Sequence, residues 1–230
     1  MAAPKSAGII AAAGSGQRLG TSKPKALVKV GRRTLVNRAA MRLGKIVDEI
    51  VVTAPAGYEV EMAKSLRSLH VPVTVIIGGE SRTESVQLAL AHLSSDIEFV
   101  LIHDAARAFA PVSMMRRILR ALHKGATAVI PAIEVSDTIK SVDEKGFVVS
   151  TYDRETLRAV QTPQGFTRDL IEHAHREARS RDLLGTDDSS LVEALGEKVL
   201  VILGDERARK ITTPADLKFH RLMRRKGAKL

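Results

Sequence analysis

Six short apolar runs do most to limit what this chain can fold into: Ala7–Ala13, Glu49–Ala54, Val73–Gly78, Phe99–His103, Thr127–Ala132 and Val199–Leu203. They read as buried strands. Between the earlier ones lie segments with apolar residues at i, i+3, i+4 spacing, such as Val86, Ala89, Leu90 and Leu93, which mark one face of a helix. Ser81 and Glu84 form a capping box opening that helix. Thr213-Pro214-x-Asp216 opens the last helix, with proline at its first position and an acid in the first turn. Alternating strands and helices predict a mostly parallel sheet covered by helices on both faces. The expected fold is therefore α/β, a single Rossmann-like domain over residues 1–230, long enough to bury a substantial core. In such sheets ligands sit beyond the carboxyl ends of the strands.

One stretch breaks the alternation. Ile133–Tyr152 reads as two polar–apolar strands, Asp137–Val142 and Phe147–Tyr152, joined by Asp143-Glu144-Lys145-Gly146. A hairpin this exposed is marginal by itself and needs a partner surface, so 133–152 is read as a protruding β-arm.

The first apolar run ends in Ala11-Ala12-Ala13-Gly14-Ser15-Gly16-Gln17-Arg18-Leu19-Gly20, followed by Lys23-Pro24-Lys25. Lacking a Cβ, Gly14 and Gly16 let the backbone take φ > 0 and lie close against a ligand. Such a bend points successive N–H groups into one concavity, which suits phosphate oxygens. Arg18 and Lys25 place two full positive charges close behind it. The run is neither of the better-known phosphate loops. A dinucleotide fingerprint needs glycine where Leu19 stands, and no Gly-Lys pair follows at the Walker spacing. A structural strand-to-helix turn also accounts for the glycines, but the two cations favour a polyphosphate site.

Composition narrows the functional class. Hydrophobic residues make up 44% of the chain, yet no apolar run approaches the length of a membrane span. The opening MAAPKSAG carries no apolar core of a secretory signal. Zero cysteines exclude disulfides, thiolate catalysis and cysteine-held metals, and fit a cytoplasmic enzyme. Lysine and arginine total 36 against 26 acids, a net charge of +10, which suits nucleic acid or anionic small molecules. Aromatics are only 3%, with no tryptophan, which leaves few platforms for stacking bases. Along the sequence the basic residues are spread out, apart from Arg221, Arg224, Arg225, Lys226 and Lys229, which read as a solvated helix end. Anionic small molecules are thus the expected partners, with neither nucleic acid nor membrane.

Two further motifs sit at predicted strand ends. Gly78-Gly79-Glu80-Ser81-Arg82-x-x-Ser85 forms a tight turn whose backbone could meet a nucleobase edge, although a double glycine before a capping box is also ordinary turn chemistry. His103-Asp104-Ala105-Ala106-Arg107 follows the run Phe99–Ile102. A carboxylate there, beside a polyphosphate, suits Mg²⁺, which takes one or two carboxylates plus phosphate oxygens. Alone, Asp104 reads equally as a helix cap or salt-bridge partner.

Together AAAGSGQR with KPK, Gly-Gly-x-x-Arg-x-x-Ser and HDAAR resemble the nucleotidyltransferases that join a nucleoside triphosphate to a small phosphorylated substrate. More narrowly, they resemble the 2-C-methyl-D-erythritol 4-phosphate cytidylyltransferase family of the non-mevalonate isoprenoid pathway. The likeness continues in order over nearly the whole chain, through Asp137-Thr138-x-Lys140, Asp153-Arg154, Thr162-Pro163-Gln164, Thr186-Asp187 and Lys210 before Thr212-x-Pro214-x-Asp216-Leu217. The resemblance implies that Ala11, Ala12, Ala13, Gly14, Ser15, Gly16, Gly79, Glu80, Arg82, Ser85, Asp104 and Ala105 bind CTP. Ser85 would contact the base and Arg82 support its pocket. Asp104 would lie by the ribose and the metal, Mg²⁺ or another divalent cation. Arg18 and Lys25 would be catalytic. Arg107, Thr138, Arg154, Thr162, Thr186 and Lys210 would surround the methylerythritol phosphate, and the arm would clasp a two-fold partner in a homodimer. His103 reads as structural. The chain departs from the family pattern at Ala11, Ala26, Ala108 and Ala208-Arg209, where proline, glutamine, proline and Asn-Ile are usual.

The implied chemistry follows from charge. A substrate phosphate is already an anion, so no general base is needed to make the nucleophile. It attacks the α-phosphorus of CTP in line and expels pyrophosphate, and the protein must hold two repelling anions together while neutralising the growing charge. Alternatives are a cytidylyltransferase for another polyol phosphate such as ribitol 5-phosphate, a non-catalytic nucleotide-binding protein and a nucleic-acid-binding protein.

Overall fold

The computed structural model describes residues 4–14, 16, 19, 23–183 and 185–225. The chain begins with β1 (Lys5–Ala11), a small hairpin of β2 (Lys29–Val30) and β3 (Arg33–Thr34), and α1 (Leu35–Leu43). Then come β4 (Glu49–Ala54), α2 (Glu59–Leu66), β5 (Val73–Ile77), α3 (Arg82–Leu90), β6 (Ile97–Asp104) and α4 (Val112–His123). The second half holds β7 (Ala128–Glu134), β8 (Lys140–Val142), β9 (Val148–Thr151), β10 (Arg158–Val160) and β11 (Gln164–Thr167). It closes with α5 (Arg168–Ser180), α6 (Asp188–Glu193), β12 (Leu200–Leu203) and α7 (Pro214–Arg225).

β1 lies in the middle of an eight-stranded sheet, parallel to β6 on one side and β4 on the other, with β5 parallel to β4 at the edge. In this register Ala11 stands between Thr53 and Asp104, so three strand ends open on one place. Beyond β6 the pattern changes. β11 is antiparallel to both β6 and β7, β10 is antiparallel to the second half of β7, and β12 runs parallel to β7 on its other side. The sheet is mostly parallel, as expected, with an antiparallel insertion that the sequence did not announce. Gln164-Gly165-Phe166-Thr167 and Arg158-Ala159-Val160 are too short and too mixed to stand out as apolar runs.

Helices cover both faces because successive strand side chains point to opposite sides. Ile10, Val52 and Leu101 face a layer that includes Val36, Ala40 and Leu43 of α1, Met62 of α2 and Met114, Met115 and Ile118 of α4. Ile9, Val51, Val100 and Ile102 face the other layer, built from Val86 and Leu90 of α3, Ile171 and Ala174 of α5 and Leu191 of α6. Full burial of each such large aliphatic side chain contributes roughly 1.5–3 kcal/mol. Among the described residues, no helix is long and apolar enough to cross a membrane.

The arm is smaller than its sequence pattern suggested. Ile133 and Glu134 belong to β7, where they pair with Ala159 and Arg158. The arm's own ladder pairs Lys140 with Thr151, Ser141 with Ser150 and Val142 with Val148. Asp143 closes its turn, accepting at Oδ1 from the N–H groups of Lys145 and Phe147. Val142, Phe147 and Val149 stand 58%, 69% and 68% exposed, an apolar surface with nothing of its own chain to cover it.

Candidate active site

The first wall of the cleft grows from the end of β1. Ala12 N donates to Thr53 Oγ1 at 3.2 Å, which ties the turn to the neighbouring strand. Gly16 adopts φ +70°, and a Cβ there would collide with the Cβ of Lys25. Glycine at this position therefore serves two needs, a left-handed backbone and the close approach of the Lys25 segment. Gly14 has no left-handed φ and faces open space. Lys25 begins a short 3₁₀ turn, Lys25–Leu27, anchored by buried Ala26 and Leu27. Ser15 and Arg18 lie outside the described residues.

The second wall is the turn from β5 into α3. A Cβ on Gly78 would strike Ala13, so this glycine lets the two walls close on each other. Gly79 N donates to Ser85 Oγ at 3.0 Å, and that hydroxyl donates to Ser81 O at 2.9 Å. The helix cap differs from the expected box in one respect. Ser81 Oγ accepts from Glu84 N at 3.0 Å, but the Glu84 carboxylate takes the N–H of Glu80, at 2.7 Å, instead of that of Ser81.

Asp104, at the end of β6, is the electrostatic centre. Arg82 Nε lies 3.2 Å from its Oδ1 and Lys210 Nζ 2.7 Å from its Oδ2. Arg82 Nη2 also reaches Asp188 Oδ2 at 2.7 Å, and His175 Nε2 lies 3.4 Å from Asp188 Oδ1. Burial by itself would raise both carboxylates and lower the guanidinium. The opposite charges win, so Asp104 and Asp188 are held below the usual carboxylate range and Arg82 above its own. Beneath them Thr162 Oγ1 accepts from Asp104 N at 3.0 Å and pairs with His103 Nδ1 at 2.9 Å. Burial pushes His103 down to about 4, so the ring is neutral at pH 7 and serves as a packed, hydrogen-bonded support.

Lys210 is set by two ties on its flanks. Arg107 Nη1 donates to Ala208 O at 2.9 Å, and Ile211 N donates to Ala106 O at 2.9 Å. Arg107 itself is lowered by burial and also donates to Val160 O at 3.1 Å. Its guanidinium thus braces the Lys210 segment from behind the cleft.

The resulting cavity of about 530 Å³ is lined by Ala11, Ala12, Ala13, Gly14, Gly16, Lys25, Gly79, Glu80, Arg82, Ser85, Asp104, Ala105 and Lys210. Five further lining residues, Ala26, Thr53, Ser81, Ala106 and Thr212, had drawn no attention as site residues. Of the expected substrate contacts, Arg107 and Thr162 sit behind the lining and Thr186 is exposed outside it. Thr138 and Arg154 lie exposed near the base of the arm, with Arg154 Nη1 donating to Ser136 O at 3.3 Å. Asp188 and His175 were missed. No local signal marks either, because their partners are 106 and 13 positions away in sequence. A second concavity of about 1280 Å³ gathers Lys23, Lys29, Arg32, Arg33, Arg38 and Lys64 around Glu61, so basic residues dispersed in sequence converge in space.

A glycine turn at the carboxyl end of the central parallel strand, facing a carboxylate and three cations, has the make-up of a cleft for a phosphorylated ligand. A family profile described as 2-C-methyl-D-erythritol 4-phosphate cytidylyltransferase matches residues 7–225. Proteins of that name from Rhodococcus opacus (strain B4) and Nocardia farcinica are 48% and 47% identical to this chain. The alignments cover 96% of this chain and 95% of the first protein, and 92% and 90% for the second. The crystal structure of 4-diphosphocytidyl-2C-methyl-D-erythritol synthase from Anaerococcus prevotii superimposes with a TM-score of 0.85 at 29% identity, covering 96% of each chain. That of the Thermus thermophilus cytidylyltransferase gives 0.79 at 32% identity, covering 94% of this chain and 98% of the other. The chain belongs to the 2-C-methyl-D-erythritol 4-phosphate cytidylyltransferase family.

Proposed function

We propose that this cleft is where the chain, a nucleotidyltransferase of that family, condenses CTP with 2-C-methyl-D-erythritol 4-phosphate. The products are 4-diphosphocytidyl-2-C-methyl-D-erythritol and pyrophosphate, a step of isoprenoid precursor biosynthesis. The observation that carries this reading is the meeting of Lys25, Arg82, Asp104 and Lys210 around the turn Ala11–Gly16. Backbone N–H groups of the turn cradle the triphosphate, and Lys25, with Arg18, neutralises charge growing on the α-phosphoryl oxygens. Lys210 draws the attacking phosphate toward the same place.

Base choice falls to the Gly79–Ser85 turn. A hydroxyl has one donor and two acceptor sites. Ser85 Oγ has spent its proton on Ser81 O and one acceptor on Gly79 N–H, which leaves a single acceptor. That acceptor matches the exocyclic amine of cytosine and opposes the carbonyl of uracil.

The donor set also suits a divalent cation. Among the described residues no group of three His, Asp or Glu could hold a metal alone, but Asp104 presents one carboxylate to the phosphate turn. Mg²⁺ is bound in this way, by one or two carboxylates with phosphates and water supplying the rest. When bound, it would shield the triphosphate charge. The arm supports a two-fold homodimer, because its apolar side chains need a cover and two strands alone are marginal. Thr138 and Arg154, which do not line their own cleft, would then serve the partner's.

The test is pyrophosphate release from CTP and Mg²⁺ in the presence of 2-C-methyl-D-erythritol 4-phosphate or ribitol 5-phosphate. Release with the first and little with the second is expected. A clear preference for ribitol 5-phosphate would overturn the substrate, and no release with either would overturn the activity.

A further inference from the structure

Asp188 is a buried acid that the chemistry above does not use. Its side chain is 1% exposed, so it meets neither nucleotide nor substrate, yet it makes the shorter of the two ion pairs to Arg82. It stands at the start of α6, fixed there by Gln164, whose Oε1 accepts from Asp188 N and Ser189 N at 3.1 Å. The Gln164 amide also donates to Asp187 at 2.6 Å. This clamp belongs to the antiparallel β11 strand, so the sheet itself sets where Asp188 sits.

The guanidinium of Arg82 thus spans two carboxylates, one in the cleft and one behind it. An arginine beside a single carboxylate prefers a bidentate fork that occupies both oxygens. Here Asp104 receives only Nε of Arg82 on one oxygen and Lys210 on the other. Lys210, Arg82, Asp104 and Asp188 sum to zero charge, and removing the Asp188 charge leaves the group at +1.

We propose that Asp188 is a positioning residue that holds Arg82 back from Asp104, keeping the Asp104 carboxylate able to receive a cation-bound nucleotide. The inference rests on the reading of Asp104 as the carboxylate that meets the divalent cation. It makes an asymmetric prediction. With Asp188 neutralised, Arg82 closes on Asp104 and the site gains a positive charge. A divalent cation is then repelled, while the metal-free triphosphate, a polyanion, is not. A merely structural lesion would weaken both.

The experiment measures two quantities on the intact enzyme. One is the Kd of metal-free CTP by calorimetry with a chelator present. The other is the half-saturating Mn²⁺ concentration of the CTP-bound protein, read by electron paramagnetic resonance. Asp188→Asn is expected to raise the Mn²⁺ value about tenfold and to leave metal-free CTP binding unchanged or tighter. In an Arg82→Gln background the same substitution should change Mn²⁺ binding less than about twofold, since the residue acts through Arg82. Equal weakening of both ligands, or a full additional effect in the Arg82→Gln background, would overturn the proposal. Asp104→Asn separates the two readings. If it leaves Mn²⁺ binding unchanged, the metal reading of Asp104 fails and this inference falls with it. If it weakens Mn²⁺ and Asp188→Asn does not, only this inference fails. Should Asp188→Asn not fold, Asp188→Ser makes the same test, because it removes the same charge from behind Arg82. It too must weaken Mn²⁺ more than metal-free CTP, and the opposite order overturns the proposal.

Discussion

At the scale of single residues, position in the cleft separates side chains that act on ligands from those that hold the actors. Lys25 lines the cavity at the open side of the glycine turn. Lys25→Ala should lose ~10²–10³-fold in kcat, the usual effect of removing one stabiliser of developing charge. The unfolding midpoint should move little, and near-normal turnover would sink its catalytic role. Ser85 does a different job, supporting the Gly79 turn while offering one acceptor. Ser85→Ala should reduce the preference for CTP over UTP, in kcat/KM, by ~10-fold or more, as the loss of one buried polar pairing implies. Unchanged discrimination would show that the base is read elsewhere.

At the scale of elements, the last helix is held by one carboxylate. Asp216 accepts at Oδ2 from the N–H groups and hydroxyls of both Thr212 and Thr213, at 2.9–3.0 Å. Partial burial would raise this carboxyl, but the four hydrogen bonds outweigh it and hold it well below the usual range. A depressed folded-state pKa stabilises the fold fully above the unfolded value of about 3.9; the contribution shrinks as pH falls below that and is lost only as pH passes through the depressed folded-state value. Because Thr212 lines the cleft two residues after Lys210, this cap ties α7 to the site. Asp216→Asn should melt below the wild type at pH 7, by a gap that narrows progressively as pH falls below about 4. A gap that persists undiminished in acid would show that the carboxylate charge is not what anchors the helix.

At the scale of the whole molecule, the arm and the cleft predict a site shared between subunits. Lys25→Ala and Arg154→Ala, each inactive alone, would be unfolded and refolded together. Half the dimers are then mixed, and a two-fold interface gives each mixed dimer two unlike sites. If Arg154 serves the partner's cleft, one of those sites carries both lesions and the other none. Activity should recover to about a quarter of the wild-type level for random pairing. A verified mixed dimer with no recovery would place Arg154 in its own chain's site and leave the chemistry of the cleft untouched.

The sequence by itself determined what depends on neighbours in the chain. Strand ends, the α3 and α7 starts and the turns at Gly16 and Gly78 were legible, because each rests on local backbone chemistry or on the periodicity of burial. Those motif residues that line the cleft, such as Ala11, Gly79, Asp104 and Lys210, could be read because the motifs stand in order along the chain, whereas Thr138, Arg154 and Thr186 stand outside it. What only the tertiary structure decided are the pairings across long distances. Gln164-Gly165-Phe166-Thr167 became a strand because β6 and β7 offered two open edges, not because of any preference of its own. That strand then fixed α6 and brought Asp188 under Arg82. Charge followed the same rule. Along the sequence the cations look dispersed, but folding set six of them round one groove and two against Asp104. Coulomb energy depends on distance in space, about which the order of residues along the chain is silent.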